Sequence, residues 1–254
     1  MADHIRVERD DAVLRITLDR PDRLNAAPPA MFDEIRAALG DLDGARAVLM
    51  TGAGRAFCSG ADIAGADGTI DPAAALTAHY NPTLAAIADL SVPVVSAVRG
   101  PAAGIGCSLA LAADFCVAAD DAYFLQAFVN IGLVPDGGAS WMLPRLIGRA
   151  RATRMMLLGE RVPAATALQW GMIHAVTDSA ALDEKALALA RRLSAGPTVA
   201  LGLMRRNLAF ALDHDYAATM AREAEAQRTA RDTADAVEGG MAFLGKRPPA
   251  FRGA

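Results

Sequence analysis

Two apolar runs, each closed by a turn of small residues, constrain this chain more than any other feature. Ala47-Val48-Leu49-Met50 ends in Thr51-Gly52-Ala53-Gly54, and Pro93-Val94-Val95-Ser96-Ala97-Val98 ends in Arg99-Gly100-Pro101-Ala102-Ala103-Gly104-Ile105-Gly106. A short, uncharged run bounded by glycine reads as a strand covered on both faces. After the first turn, Phe57-Cys58 returns to the interior and Ser59-Gly60-Ala61-Asp62 presents a backbone with little side-chain bulk. A ligand can come close to such a backbone, whose amides could donate to a developing negative charge. On local grounds alone, the first stretch is better read as a strand followed by a turn. The second unit leads into a helix, read as Cys107 to Ala113. Strand, glycine turn and helix in repetition define an α/β fold with turns suited to anion or oxyanion sites.

The 254 residues suffice for one large domain, or one with a small appendage. Aromatic residues make up 5% of the chain against 53% hydrophobic residues overall, so helices should pack on sheet through small aliphatic contacts. The net charge of −4 comes from interspersed residues, which argues against a nucleic-acid or membrane partner. No apolar run is long enough to span a bilayer, and the start MADHIRVERDD lacks the order of a secretory signal, so a cytoplasmic location is expected. Cys58, Cys107 and Cys116 are odd in number and form no C-x-x-C pair, which points to buried reduced thiols and to no metal site.

Along the chain, Ile5 to Arg9 and Val13 to Leu18 alternate as a hairpin with one solvated face. Pro28-Pro29 opens a helix to about Leu39, Ala64 to Pro72 reads as the most mobile loop, and a helix is expected from Pro72 to Asp89. Phe115 to Ala118 and Tyr123 to Leu125 read as short strands, Val134 to Gly138 as a turn, and Ser140 to Leu146 and Ala150 to Leu158 as helices. From Asp183 onward the pattern is helical: Glu184 to Leu193, Thr198 to Leu212, Tyr216 to Thr229 and Ala234 to Leu244. Ser194-Ala195-Gly196-Pro197 is the best boundary, giving a core over residues 1–195 and a helical region over 196–254. So small a set of helices needs the body or another subunit to pack on.

RAFCSGADI and GPAAGIGCSLALAADF, with RLNA, NIGLVPDGGASWMLPRLIGRARA, LGERVPAATALQWGMIHAV and FLGKRPPAF, resemble the crotonase (enoyl-CoA hydratase/isomerase) superfamily over nearly the whole chain. The resemblance implies a spiral of ββα turns, a C-terminal helical region used in trimerisation, and an acyl-coenzyme A thioester as substrate. It implies no cofactor beyond the coenzyme A carried by that substrate. A homotrimer, or a dimer of trimers, is the expected assembly.

By the same resemblance, the amides of Ala61 and Ile105 form an oxyanion hole for the thioester enolate, each such donor typically contributing about 3 kcal/mol. Many members have glycine where Ile105 stands, so its side chain must point away from the acyl group. The two glutamates of the hydratases fall on Ser108 and Phe128, neither of which can act as a carboxylate. The remaining acid is Asp136 in Pro135-Asp136-Gly137-Gly138, which by spacing alone is a turn signature. Similarity to the ring-1,2-epoxyphenylacetyl-CoA isomerases of phenylacetate degradation makes Asp136 the acid/base of an isomerase. An apolar wall of Phe128, Val129, Ile131 and Leu133 would raise its pKa.

Arg23, Leu24, Ala26, Asp62 and Ile63 match positions that bind coenzyme A, Asp62 fixing its turn rather than reacting. Phe243 and Lys246, spaced three apart on the last helix, match residues that approach the nucleotide part, often from a neighbouring subunit. His4, His79, His174 and His214 read as surface residues, of which only His79 could face a ligand. Ser108 suits capping or packing better than nucleophilic attack. Two rivals to the isomerase remain: a weak hydratase using Asp136 and a hydroxyl such as Ser108, and a silent acyl-CoA binder. The acyl group depends on Ala64 to Pro72 and on packing around Phe128 and Trp141, which residue types do not reveal.

Overall fold

In the computed structural model, which describes residues 4–63 and 71–254, β1 (Ile5–Asp10) and β2 (Val13–Leu18) pair antiparallel with Ile5 opposite Leu18. β1 keeps a solvated face, but β2 is largely buried throughout. The reason is its other edge. There β3 (Ala47–Gly52) pairs in parallel, and strands inside a parallel sheet are covered by helices on both sides. α1 (Pro29–Gly40) begins with proline and buries Met31, Phe32, Ile35 and Leu39 at helical spacing.

The segment expected as one helix after Pro72 is three pieces: α2 (Pro72–Ala75), a π-turn over Leu76–Tyr80, and α3 (Asn81–Asp89). Pro82 has no amide to donate, and just before it the ladder widens so that the Asn81 N–H reaches the Leu76 carbonyl. The loop read at Ala64 to Pro72 lies outside the described residues, except for Asp71, which caps α2, and Pro72.

β4 (Val94–Val98) joins the main sheet, β5 (Pro101–Ala103) leaves it for a second one, and α4 (Ile105–Leu111) follows. β6 (Phe115–Ala119) and β7 (Tyr123–Leu125) repeat the alternation, followed by α5 (Ala139–Leu158), β8 (Val162–Pro163), α6 (Ala164–Gln169) and β9 (Ala175–Thr177). The main sheet has the order β1-β2-β3-β4-β6-β9, parallel after its first pair, and the small sheet the order β5-β7-β8. The chain thus winds as a spiral, one strand in each sheet and then a helix. The two helices expected between Ser140 and Leu158 are the halves of α5, divided at Gly148, whose φ of 76° and ψ of 157° break the helix.

α7 (Leu182–Ser194) packs on β3, β4 and β6. α8 (Thr198–Ala211), α9 (Tyr216–Arg231) and α10 (Ala234–Leu244) complete the helical end, the last two capped by the Asp215 and Thr233 side chains. Lys246 is not on the last helix, contrary to its sequence spacing. α10 closes at Leu244 in a Schellman motif: the Arg247 N–H bonds the Ala242 carbonyl, the Lys246 N–H bonds that of Phe243, and Lys246 takes a φ of 49°. Among the described residues, no helix is long and apolar enough to cross a membrane.

Candidate active site

The loop after β2 and the turn after β3 are joined as a short parallel ladder. The Ser59 N–H bonds the Leu24 carbonyl at 3.0 Å, the Ala27 N–H bonds that of Gly60 at 2.8 Å, and the Asp62 N–H bonds that of Ala27 at 3.0 Å. Gly60 and Asp62 turn their polar backbone groups towards Ala27, so the residue between them turns its own away. The Ala61 N–H therefore has no hydrogen-bond acceptor among the described residues.

The second turn lies against the first. The Cys58 N–H bonds the Pro101 carbonyl at 3.1 Å and the Ala103 N–H returns to the Cys58 carbonyl at 2.9 Å. Gly106 makes the approach possible, since a Cβ there would lie 2.6 Å from the Cys58 Cβ. Gly60 and Gly104 also meet: a Cβ on Gly104 would lie 3.9 Å from the Gly60 Cα, and one on Gly60 3.3 Å from the Ala103 carbonyl oxygen. Each of these glycines has positive φ and precedes a free amide. The second is that of Ile105, an orphan donor of the first turn of α4 without an acceptor among the described residues. The Ile105 side chain is 1% exposed and wedged against Gly137.

That contact brings in the Pro135–Gly138 turn. At a φ of 59°, Gly137 packs so tightly on α4 that an added Cβ would meet Ile105 Cδ1 at 2.6 Å, Ser108 Cβ at 2.8 Å and Leu84 Cδ1 at 3.0 Å. The Ser108 hydroxyl donates to the Asp136 carbonyl at 3.1 Å. Asp136 is held beside the first turn of α4, and its buried Oδ1 has no hydrogen-bond partner among the described residues. Burial pushes its carboxyl up to about 6.

The source of that burial corrects the sequence reading. Val129, Ile131 and Leu133 are exposed. The apolar groups packed about the Asp136 turn are Leu84 of α3 and Ile105 of α4, while the Phe128 ring lies over Gly104. Trp141 is on the surface, its indole N–H donating to Asp213 at 3.3 Å and its ring stacked by Arg145. His79 pairs with Asp33 at 2.6 Å. The three thiols are free, buried and pushed up to about 11 or 12 by desolvation.

The positions matched to coenzyme A divide into two groups. Arg23, Leu24, Ala26, Asp62 and Ile63 border the ladder, and the Asp62 carboxylate pairs with Arg20 at 2.8 Å. Phe243, 84% exposed, and Lys246 sit at the end of α10, and neither side chain bonds that loop among the described residues. Sequence reasoning gave no role to Arg20, Tyr80 or Leu84. Asn25, inside the RLNA motif, is fully buried with a φ of 55° and ties Arg20, Ala53 and Ala56 together by its side chain. Apart from that motif, its sequence signal is an asparagine in a loop, the residue type that tolerates a left-handed backbone. Among the described residues no group of three or more His, Cys, Asp or Glu could hold a metal ion.

Two amides without acceptors among the described residues, each following one of two adjoining glycines, thus lie near a turn that carries a buried acid on a ββα spiral. The enoyl-CoA hydratase/isomerase family matches residues 8–254, and the chain belongs to that family and has its crotonase fold. It is 43% identical to a probable enoyl-CoA hydratase of Rhodobacter capsulatus over 251 residues, 98% of either chain. It is 40% identical to the 1,2-epoxyphenylacetyl-CoA isomerase of Escherichia coli K12 over the full length of both. The crystal structure of an enoyl-CoA hydratase from Polaromonas sp. JS666 superposes with a TM-score of 0.93 at 32% identity, covering 98% of this chain and 99% of that one.

Proposed function

We propose that this protein is an acyl-CoA isomerase that uses Asp136 as its one acid/base and the Ala61 and Ile105 amides as its oxyanion hole. The observation that carries the reading is the Asp136 carboxyl, buried and, among the described residues, unpartnered at Oδ1 against the helix turn that presents the Ile105 amide. In the ionised form it takes a proton from a carbon activated by the thioester. The electron pair moves onto the thioester oxygen, where two amides stabilise the dienolate. The protonated Asp136 then returns the proton two carbons away, and the double bond has moved with no atom gained or lost. A pKa near 6 suits both steps, since the group is mostly ionised at neutral pH yet more basic than an ordinary carboxylate.

Arg23, Leu24, Ala26, Asp62 and Ile63 are assigned to the coenzyme A, with Phe243 and Lys246 supplied by a neighbouring subunit. The exposed Phe243, Leu244 and Met241 of α10 support an assembly through residues 196–254, as a homotrimer or a dimer of trimers. The coenzyme A of the substrate is the only cofactor this chemistry needs. The likeness to the Escherichia coli 1,2-epoxyphenylacetyl-CoA isomerase supports a bulky or aromatic acyl group.

Replacing Asp136 by Asn tests the reading. Turnover should disappear while acyl-CoA binding stays nearly intact, and an Asn variant as active as the parent would refute it. The likeness to the Rhodobacter capsulatus protein favours a second reading, a hydratase. Incubating a 2-enoyl-CoA in labelled water separates the two, because only a hydratase builds the labelled oxygen into a 3-hydroxyacyl product.

A further inference from the structure

One buried polar group next to the site takes no part in the chemistry above. Tyr80 ends the π-turn, is 5% exposed, and packs its ring edge-on against Phe32 at 4.7 Å between centroids. The π-turn sets its direction. A single wide turn advances the helix face, and Tyr80 is the buried residue of those five. Its hydroxyl donates to the Ala27 carbonyl at 2.9 Å.

That carbonyl is already the acceptor of the Asp62 N–H, and the Ala27 N–H bonds the Gly60 carbonyl. Among the described residues, Ala27 is thus the one that bonds the backbone on both sides of Ala61, and Tyr80 is the side chain that bonds Ala27. The hydroxyl is pushed up to about 12, first by burial and then by the neighbouring carboxylate of Asp136, which places the ring in the field of the same site. A phenol so far from ionising stays a hydrogen-bond donor at any working pH.

We propose that Tyr80 is a positioning residue that fixes the Ala61 amide through the Ala27 carbonyl, and so sets the strength of the oxyanion hole. The inference rests on the reading of Ala61 as an oxyanion donor. Its physical basis is that a donor must be aimed at where charge develops, and a small displacement weakens it in the transition state more than in the ground state. Tyr80 touches no reacting atom.

Tyr80→Phe keeps the ring against Phe32 and leaves the Ala27 carbonyl bonded to Asp62. Two quantities are measured: kcat and KM for an acyl-CoA, and the infrared carbonyl stretch of a bound, 13C-labelled thioester. The parent should lower that stretch relative to free thioester. The variant should lower it less, with kcat down about tenfold and KM changed little. Replacing Tyr80 by 3-fluorotyrosine, a more acidic donor of nearly the same size, should keep or increase the parent's shift. A Tyr80→Phe protein with the parent's stretch and kcat would overturn the inference, as would a rise in KM at unchanged kcat. A parent that leaves the stretch unmoved would instead refute the oxyanion reading, and this inference with it.

Discussion

The Ser108 hydroxyl donates to the backbone carbonyl of Asp136, which ties the first turn of α4 to the turn that carries the proposed acid. The same carbonyl also accepts the Ala139 N–H at 3.1 Å, which leaves it satisfied if the hydroxyl is lost. Ser108→Ala should therefore cost only about 1 kcal/mol in urea denaturation. Activity should drop less than about tenfold, because a hydroxyl that donates or takes a proton in the reaction contributes far more. A hundredfold loss in kcat would mean that Ser108 acts on the substrate.

Gly106 sets the distance between the two turns. With a Cβ landing 2.6 Å from both the Cβ and the carbonyl oxygen of Cys58, alanine would push α4 off the turn that carries Ala61. Gly106→Ala should destabilise the fold by about 1–3 kcal/mol. Because the displaced element carries the Ile105 amide, kcat should drop more steeply than thermal stability. Chemical denaturation and steady-state kinetics on one preparation check both.

Much of this geometry is legible in the sequence. Gly60, Gly104 and the aspartate of Val134–Gly138 sit in turns whose composition already marks them, and the apolar runs of β3 and β4 have the length and bounding glycines of covered strands. What stayed hidden follows from the limits of local pattern. β5 is three residues long and has no period to detect, and its pairing with β7 makes it a strand. The π-turn depends on how a helix makes room for Pro82, and neither the inward face of Tyr80 nor its Ala27 acceptor, 53 residues away, has a local signature. The wall around Asp136 was placed on its sequence neighbours, whereas the structure takes it from α3 and α4.

Arg20 links the loop matched to coenzyme A with the turn of Ala61. Its guanidinium pairs with Asp62, whose side chain is 8% exposed, and also donates to the Ala26 carbonyl. Removing one member of a buried pair is costly because the remaining charge loses compensation, and partial exposure of Arg20 moderates the loss to about 2 kcal/mol. Arg20→Gln should lower Tm accordingly. With the loop less firmly held, KM for acyl-CoA should rise several-fold while kcat changes less, in contrast to the effect expected at Gly106.

The raised pKa of Asp136 links activity and stability in opposite directions. If the ionised form is the base, kcat/KM for proton abstraction should fall as pH drops below about 6, tenfold per unit once well below it. For folding, the pKa of about 6 lies above the ordinary value of 3.8, so the folded chain holds this proton more tightly than the unfolded chain. Stability from this group is then fully present below 3.8, declines as pH rises through the window from 3.8 to about 6, and is constant above it. The separation corresponds at full weight to about 3 kcal/mol, reduced by partial solvent exposure to about 1–2 kcal/mol. Asp136→Asn, which cannot ionise, should accordingly be more stable than the parent at pH 7 by about that amount, with the advantage shrinking as pH falls from 6 towards 4. Urea denaturation of both proteins at pH 7.0, 5.5 and 4.5 checks this, and an advantage that grows on acidification would place the pKa of Asp136 below its ordinary value.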